Sequence, residues 1–277
     1  MRDLDPLTLA KELNERDLRV LRTLRAHRLA TTRQLQRWHY TDGFGDSATA
    51  LRSAQRALRR LAGHRLIARL YYRIGGQQRG ADSVVWQLDV AGDRLLAVLN
   101  AEKRRRYIEP RRAFIEHTVG VTELAVQLIE AQRRGALAEL ALTSEPANWQ
   151  RFLGQHGRSE ILKPDLLAVT ASDEFEDHWM FEWDTGSEHQ SVITRKALVY
   201  ERFAAAGTYQ QAHGGVLPAV LWIVPSEVRR EQIEQALRNA RNLTADVHRV
   251  VTAEQFLPTV LAGSEPMTTT EERNSRS

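Results

Sequence analysis

The stretch that decides the fold is residues 161–200, ILKPDLLAVTASDEFEDHWMFEWDTGSEHQSVITRKALVY. It predicts an apolar strand, a turn, a second apolar strand and then a helix. The first strand carries Asp165, and the second carries Glu182 and Asp184. Because side chains alternate between the two faces of a strand, Glu182 and Asp184 are expected on one face. The stretch therefore predicts three carboxylates on two neighbouring strands.

Three acids flanked by apolar residues are costly to bury without partners. A bound divalent cation relieves their repulsion, and a ligand set made only of oxygen suits Mg²⁺ or Mn²⁺. Such a site supports metal-assisted cleavage of a phosphodiester. A plainer interpretation places Glu182 and Asp184 on the solvated face of an edge strand, with Asp165 ending a turn. The spacing of the acids leaves both interpretations open.

The order of these acids resembles the core of the PD-(D/E)xK nuclease superfamily. A Pro-Asp pair that ends at Asp165 is followed by Glu182-x-Asp184. One position departs from that pattern, because the superfamily has a lysine two residues after the glutamate, where this chain has Asp184. Lys196 in the following helix and Lys163 before the first strand are the candidate sources of the missing positive charge. The departure bears on catalysis more than on the fold.

The same stretch also resembles the replication-relaxation family. The resemblance rests on the segment EWDTGSE, which starts at Glu182, and on Lys196 and Tyr200 beyond it. It runs over most of the chain, roughly residues 14–246. That family is similar to relaxases, which nick mobile-element DNA with a restriction-endonuclease-like domain. The resemblance therefore implies a DNA-processing protein of a plasmid or integrative element.

The resemblance also implies roles for individual residues. Asp165, Glu182 and Asp184 would bind Mg²⁺ or Mn²⁺. Lys196 would orient the attacking water or stabilise the negative charge that develops on the phosphorus oxygens. Tyr200 is a candidate nucleophile or phosphate ligand. These five residues form the predicted catalytic set.

The charge of the chain is unevenly distributed. Residues 1–112 contain 24 Lys and Arg against 12 Asp and Glu, whereas the remainder contains 15 against 23. The formal charge is therefore +12 in the first part and −8 in the second, which gives the net +4 of the whole chain. A basic part beside an acidic one favours a polyanion-binding module joined to a domain of different function.

Composition excludes several classes of function. The chain has no cysteine, which removes disulfides, thiolate nucleophiles and cysteine zinc sites. No apolar run approaches the roughly 20 residues that span a bilayer, and the N-terminus lacks the apolar core of a signal peptide. We therefore expect a cytoplasmic protein with no membrane partner.

Residues 1–112 predict a winged helix-turn-helix, because helix, helix, helix and hairpin follow one another in that order. Helices are expected at residues 14–28, 31–39 and 46–63, strands at 66–74 and 83–88, and a closing helix at 92–100. Asn14 is expected to cap the first helix, and the spacing of Thr31 and Gln34 is typical of a capping box. Residues 1–13 are expected to form a loosely ordered arm.

The third helix presents a polar stripe, which indicates DNA binding. Arg52, Gln55, Arg56 and Arg59 follow one another at helical spacing, and Arg79 lies at the predicted hairpin tip. Arginine can bond guanine edges and glutamine adenine edges in the major groove. The apolar positions of the same helix are Leu51, Ala54, Leu58 and Leu61. The alternative is a solvated helix face rich in arginine, but the hairpin and the basic charge favour DNA.

Residues 114–260 predict helix, strand, strand, strand, helix, strand, helix and strand. This order matches the αβββαβ core that the nuclease resemblance implies, with residues 145–160 expected as a polar loop. The overall expectation is an α+β or α/β protein. Its predicted parts are a DNA-binding domain with a basic linker over residues 1–112, a nuclease-like domain over 113–262 and a disordered tail over 263–277.

Besides a partner-recruiting protein whose acidic domain docks on basic machinery, two functions fit these observations. The first is a relaxase-like, metal-dependent nickase that acts at an origin of transfer or replication. The second is a non-catalytic, sequence-specific replication or transfer accessory, or a transcriptional regulator, that uses an inactive nuclease-like fold. Both have double-stranded DNA as partner, with replication or conjugation machinery and a second copy of the chain as further candidates.

Overall fold

The computed structural model describes residues 10–70, 84–101, 110–154, 157–172, 176–241, 243 and 247–264. Arg79 and the predicted hairpin tip lie outside the described residues, as do residues 1–9, most of the basic linker and the tail beyond Ser264. The chain divides into two compact units, Met1–Glu130 and Ala131–Ser277. The division falls later than residue 112, within a long helix that was expected to open the second domain.

The first unit contains helices and a small antiparallel sheet. Its elements are α1 (Glu15–His27), β1 (Leu29–Thr31), α2 (Thr32–His39), α3 (Ser47–Gly63), β2 (Ile67–Leu70), β3 (Val85–Leu88) and α4 (Val90–Leu99). A long helix, α5 (Arg112–Arg133), follows, and only its last residues fall in the second unit. The strand order is β1-β3-β2, with both neighbours of β3 antiparallel to it.

Helices α1 and α2 begin at the capping residues that the sequence predicts. The Asn14 side chain accepts from the Asp17 amide, and the Asp17 side chain accepts from the Asn14 amide, which completes a capping box. Thr31 and Gln34 form the second capping box, at the start of α2. Such caps satisfy amides that have no partner inside the helix. The predicted capping residues are therefore confirmed, whereas the three-residue strand β1 was not predicted.

Within the first unit, Arg37 of α2 forms ion pairs with two glutamates of α5. Arg37 donates to Glu123 Oε1 at 2.5 Å and to both carboxylate oxygens of Glu130, with Nε 2.8 Å from Oε1. Gln34 Nε2 adds a bond of 3.0 Å to Glu123 Oε2. Because these bonds are charge-assisted and partly buried, they hold α5 more firmly than exposed ion pairs would.

The second unit is built on a five-stranded mixed sheet. Its elements are β4 (Glu139–Ser144), β5 (Gln150–Leu153), β6 (Ser159–Leu162), β7 (Leu166–Ala171), β8 (Glu176–Trp183), α6 (Gln190–Ala206), α7 (Thr208–Ala212), β9 (Ala219–Val224), α8 (Glu227–Asn239), β10 (His248–Thr252) and α9 (Phe256–Ala262). The strand order is β10-β9-β8-β7-β4. Strands β4, β7 and β8 are antiparallel neighbours, whereas β8, β9 and β10 run parallel, joined by crossover helices α6 and α8.

Strand β8 lies at the centre of this sheet and is apolar on both faces. Trp179, Met180 and Phe181 are at most 1% exposed. A strand that is covered on both sides needs apolar residues in succession rather than in alternation. Polar side chains are therefore tolerated mainly near its ends, and Glu182 lies at its carboxyl end.

The expectation of a polar loop over residues 145–160 is wrong. Strands β5 and β6 form a two-stranded antiparallel hairpin, in which Gln150 pairs with Leu162 and Leu153 with Ser159. Phe152 is 4% exposed and meets Phe203 of α6 edge to face, with 5.5 Å between ring centroids. The hairpin was missed because only this one aromatic residue anchors it, and its partner lies far along the chain.

The structure confirms a protein of mixed helices and sheets. None of the helices in the described part of the chain combines the length and the apolarity needed to cross a membrane.

Candidate functional site

The register of β7 and β8 brings two predicted acids together. Leu166 pairs with Phe181, so one further step of the ladder sets Asp165 opposite Glu182. Asp165 lies in the bend just before β7 rather than within a strand, and its amide still donates to Phe181 O at 3.1 Å. Its Oδ2 accepts from the Trp183 amide at 2.8 Å. Opposite residues of an antiparallel pair share a face, which is why these two carboxylates are neighbours.

Helix α6 adds a cation and a hydroxyl to the two acids. Lys196 Nζ bonds Glu182 Oε2 and lies 3.8 Å from Asp165 Oδ1. The Tyr200 hydroxyl donates to Glu182 Oε1. Lys196 and Tyr200 are four residues apart, so they lie one helical turn from each other on one face. We call Asp165, Glu182, Lys196 and Tyr200 the carboxylate cluster.

The position of α6 follows from its apolar spacing and its ends. Ile193, Ala197, Tyr200 and Phe203 are its buried residues, three or four positions apart. That spacing turns one stripe of the helix inward. The helix stops at Gly207, whose φ of 68° is a left-handed conformation that glycine adopts without steric cost.

Burial controls ionisation within the carboxylate cluster. Glu182 is 2% exposed, and this burial raises the pKa of its carboxyl group to about 8, although the nearby Lys196 acts in the opposite direction. Burial also lowers the pKa of Lys196, but the charges of Glu182 and Asp165 outweigh it and the pKa is raised. Burial and then Glu182 raise the pKa of Tyr200. Lys196 therefore remains a cation at neutral pH, and Tyr200 remains a neutral phenol.

Asp184 has a separate set of partners. Its Oδ2 accepts from Arg229 Nε at 2.5 Å, and its Oδ1 accepts from the Gly186 amide at 2.9 Å. Arg229 Nη2 also donates to Glu188 O at 2.5 Å, so one guanidinium closes the loop between β8 and α6. The side chains of Asp184 and Arg229 are 2% and 11% exposed. Asp184 is therefore the partner of a buried arginine, and both of its oxygens are engaged.

The carboxylates of Asp165, Glu182 and Asp184 differ in how well they meet the needs of a divalent cation. Within the described ranges, no group of three or more His, Cys, Asp or Glu is arranged to hold a metal ion. Asp165 and Glu182, however, share one cation, Lys196, which shows that positive charge is stabilised between them. Mg²⁺ commonly takes only one or two protein carboxylates and completes its shell with water and substrate phosphate. Asp165 and Glu182 fit such an ion, whereas Asp184 does not.

The arginine stripe of α3 lies on the surface of the first unit. Arg52, Arg56 and Arg59 are exposed and Gln55 is half-buried. Ala54, Leu58 and Leu61 are buried on the opposite side, as predicted, while Leu51 is only half-buried. Arg52 Nη2 donates to Thr49 Oγ1 at 2.9 Å. In the described part of the chain, neither Arg56 nor Arg59 has an acidic partner.

A family model described as replication-relaxation matches residues 21–220. That range covers well over half of the chain. The chain belongs to the replication-relaxation family. The matched range contains the arginine stripe and all five predicted catalytic residues, and it ends before Arg229. No curated protein and no solved structure matches the chain.

Membership of the replication-relaxation family indicates a role in replication and in the processing of mobile-element DNA. DNA and replication-related components are accordingly the partners that it indicates. Four of the five predicted catalytic residues lie together in the carboxylate cluster, and the fifth, Asp184, lies with Arg229.

Sequence reasoning missed two residues that shape this region of the replication-relaxation protein. Arg229 lies 45 positions from Asp184, and nothing in the local sequence links them. Asn148 is fully buried, and its Nδ2 donates to Pro164 O at 2.6 Å, directly before Asp165. An asparagine in a turn-rich segment reads as an ordinary turn residue, so only the fold could identify it.

Proposed function

We propose that this replication-relaxation protein is a relaxase-like, metal-dependent nickase that acts at an origin of transfer or replication. The observation that carries the proposal is the position of Lys196, which reaches both Asp165 and Glu182 from α6. A lysine beside two acids is the combination that the PD-(D/E)xK resemblance implies. This chain has Asp184 where the superfamily has a lysine. In this proposal Lys196 of α6 supplies the positive charge instead.

The order of elements supports the same proposal. In the first unit, helices α1, α2 and α3 precede the antiparallel pair of β2 and β3, with the short strand β1 between α1 and α2, an order that fits a winged helix-turn-helix. From α5 onward, the described elements include a helix, three successive strands of the mixed sheet, a helix and a further strand, which fits a restriction-endonuclease-like core. The hairpin of β5 and β6 is an insertion in this order.

In the proposed reaction each residue of the carboxylate cluster has a distinct task. Asp165 and Glu182 would hold Mg²⁺ or Mn²⁺, which when bound polarises the scissile phosphate and activates water. Lys196 stabilises the negative charge that grows on the phosphate oxygens during attack. Tyr200 holds Glu182 in position through its hydroxyl. Its buried phenol and raised pKa make it a poor nucleophile, so no covalent tyrosine intermediate is required.

The arginine stripe would select the DNA site. Arg52, Gln55 and Arg56 would reach base edges in the major groove, and Arg59 would bind phosphate. Exposed guanidinium groups without internal partners are free to exchange counterions for phosphates. This separates recognition, in the first unit, from chemistry, in the second.

The direct test uses supercoiled DNA that carries the element's own origin. The full-length protein should convert it to the open circular form with Mg²⁺ and not with a chelator. Asp165→Asn should abolish conversion while duplex affinity stays within about twofold of wild type, because the stripe is untouched. Nicking by Asp165→Asn at the wild-type rate would show that the carboxylate cluster is not the active site.

The Asp184–Arg229 ion pair favours a second function, that of a non-catalytic DNA-binding accessory or regulator. Because Asp184 already bonds Arg229, it is not available as one of the three predicted metal ligands. Under this alternative the carboxylate cluster only stabilises the fold. Wild-type protein would then bind origin DNA without nicking it in Mg²⁺ or Mn²⁺, and neither ion would raise its melting temperature.

A further inference from the structure

The hairpin of β5 and β6 has two faces of very different character. Its inner face packs on α6, where Phe152 meets Phe203 and Glu160 accepts from Arg202 Nη2 at 2.7 Å. Its outer face is solvent-facing: Arg151 is exposed, and Leu153 is 68% exposed. Because side chains alternate along a strand, the inner and outer sets are fixed by the register of the hairpin.

The outer face carries two cations and an aromatic ring on its strands and their ends, and one carboxylate lies at its edge, where Trp149 Nε1 donates to Glu145 Oε1 at 3.4 Å. Its residues are Trp149, Arg151, Leu153, Ser159, Ile161 and Lys163. Lys163 Nζ lies 4.1 Å from the centroid of the Trp149 ring, which confirms that these two side chains are on the same side. We call this set the hairpin outer face. It is a basic surface in a part of the chain whose formal charge is −8.

Arg151 and Lys163 of the hairpin outer face differ from several other cations of the second unit in having no acidic partner among the described residues. Within the described ranges, neither Arg151 nor Lys163 pairs with a carboxylate. Arg202, Arg229 and Arg230, by contrast, are paired with acids of their own unit. An arginine that is already paired has little to offer a phosphate, whereas an unpaired one gains a charge-assisted bond.

The base of the hairpin adjoins the chain segment that carries Asp165. Lys163 precedes Asp165 by two residues, and Asn148, next to Trp149, bonds Pro164 O between them. The base of the hairpin is thus anchored to the backbone that carries Asp165. A strand bound along this face would lead to the cluster.

We propose that the hairpin outer face binds single-stranded DNA and guides it to the carboxylate cluster. Arg151 and Lys163 would bind successive phosphates, and Trp149 would stack on a base once Lys163 moves from the ring to a phosphate. Stacking on an aromatic ring requires unpaired bases, which is why the ligand is a single strand. The inference rests on the proposed nuclease function only for the fate of the strand, since binding can be measured by itself.

The test compares binding of a fluorescein-labelled single strand of about 20 nucleotides with binding of the same sequence as duplex. The full-length protein is used, and anisotropy is followed over a series of salt concentrations. The Arg151→Gln/Lys163→Gln variant should lose tenfold or more in single-strand affinity. Its salt slope should fall by about 1.4, since each single-strand phosphate contact contributes roughly 0.7. Duplex affinity should stay within about twofold of wild type.

Two further variants make the test specific. Trp149→Leu keeps an apolar side chain and should lower single-strand affinity by about 5- to 100-fold through lost stacking. Arg238→Gln removes one charge from an exposed arginine that already pairs with Glu234, and it should change nothing. Unchanged melting temperatures show that each variant is folded.

Wild-type single-strand affinity and salt slope in the Arg151→Gln/Lys163→Gln variant would overturn the proposal. An equal loss on single strand and duplex, or tighter binding of an RNA strand of the same sequence, would overturn the assignment to single-stranded DNA. Failure of the nuclease proposal is recognised by a different result, namely nicking that is insensitive to Asp165→Asn. That result does not change the single-strand affinities expected here.

Discussion

The arginine stripe of α3 and the carboxylate cluster hold charge in opposite ways. In the stripe, Arg56 and Arg59 are exposed and have no acidic partner in the described part of the chain. In the cluster, Lys196 sits between two acids, and Glu182 is 2% exposed. Exposed charges cost little and remain available to an external ligand, whereas buried charges persist only with a partner. The presence or absence of an internal acidic partner therefore distinguishes the arginine stripe, the predicted binding surface, from the carboxylate cluster, the predicted catalytic site.

The largest effect is expected from Arg229→Met, which leaves Asp184 buried without its cation. The free energy of unfolding of the second unit should fall by about 3–5 kcal/mol, measured by denaturant titration. Adding Asp184→Asn to that variant should restore part of the loss, because the uncompensated charge is then gone.

The matched control is Arg230→Met at the neighbouring position. Arg230 is 30% exposed and pairs with Glu227 and Glu234 on the helix surface, so its loss should cost less than about 1 kcal/mol. Equal costs for the two variants would mean that burial does not distinguish the two pairs.

Lys196→Met should reduce the rate of nicking by about 10²–10³-fold, which is the usual cost of removing one group that stabilises transition-state charge. Affinity for duplex DNA should stay unchanged, since the proposal assigns those contacts to the stripe. Rates are measured in single turnover with saturating Mg²⁺. Arg195→Gln, the exposed neighbour on α6, serves as control, and a similar loss there would argue against a specific role for Lys196.

Arg52→Ala/Arg56→Ala should weaken specific duplex binding by about 2–3 kcal/mol, because each arginine can contact a base edge. The measurement is a competition of origin duplex against random duplex at fixed salt. Arg22→Ala removes an exposed arginine that pairs with Glu15 on α1, and it should leave affinity unaltered. Wild-type specificity in the double variant would remove α3 from the interface.

Taken per pH unit, the smallest effect is the dependence of metal binding on pH. The pKa of Glu182 is raised to about 8, so below that pH an incoming cation must displace its proton. Apparent Mg²⁺ affinity should therefore rise about tenfold per pH unit from pH 6 and level off above pH 8, as measured by calorimetry. Glu182→Gln should abolish this dependence. Duplex affinity through the stripe should not change over that range, because guanidinium groups stay charged.

Much of the fold could be predicted from local signals. Asn14, Thr31 and Asp46 cap α1, α2 and α3. These residues act within three positions of themselves, so neighbouring letters are enough to identify them. The buried residues of α3 also follow from a periodicity that is visible in the sequence.

Elements that depend on distant partners were less predictable. The hairpin of β5 and β6 is held by Phe203 and Arg202, about 40–50 positions beyond their partners along the chain. Its strands are four residues each, and their alternation is too short to separate from a loop. Helix α9 was likewise not predicted, although Phe256 is fully buried.

The sequence by itself determined which residues are candidates for the chemistry of this protein and which family it resembles, because motif spacing and residue type are properties of the chain alone. Only the tertiary structure decided which charge meets which. Glu182 and Asp184 are two residues apart, yet one meets Lys196 and the other Arg229. The reason is geometric: strand register and helix placement set the distances between charges, and buried charges take the partner that lies within bonding distance.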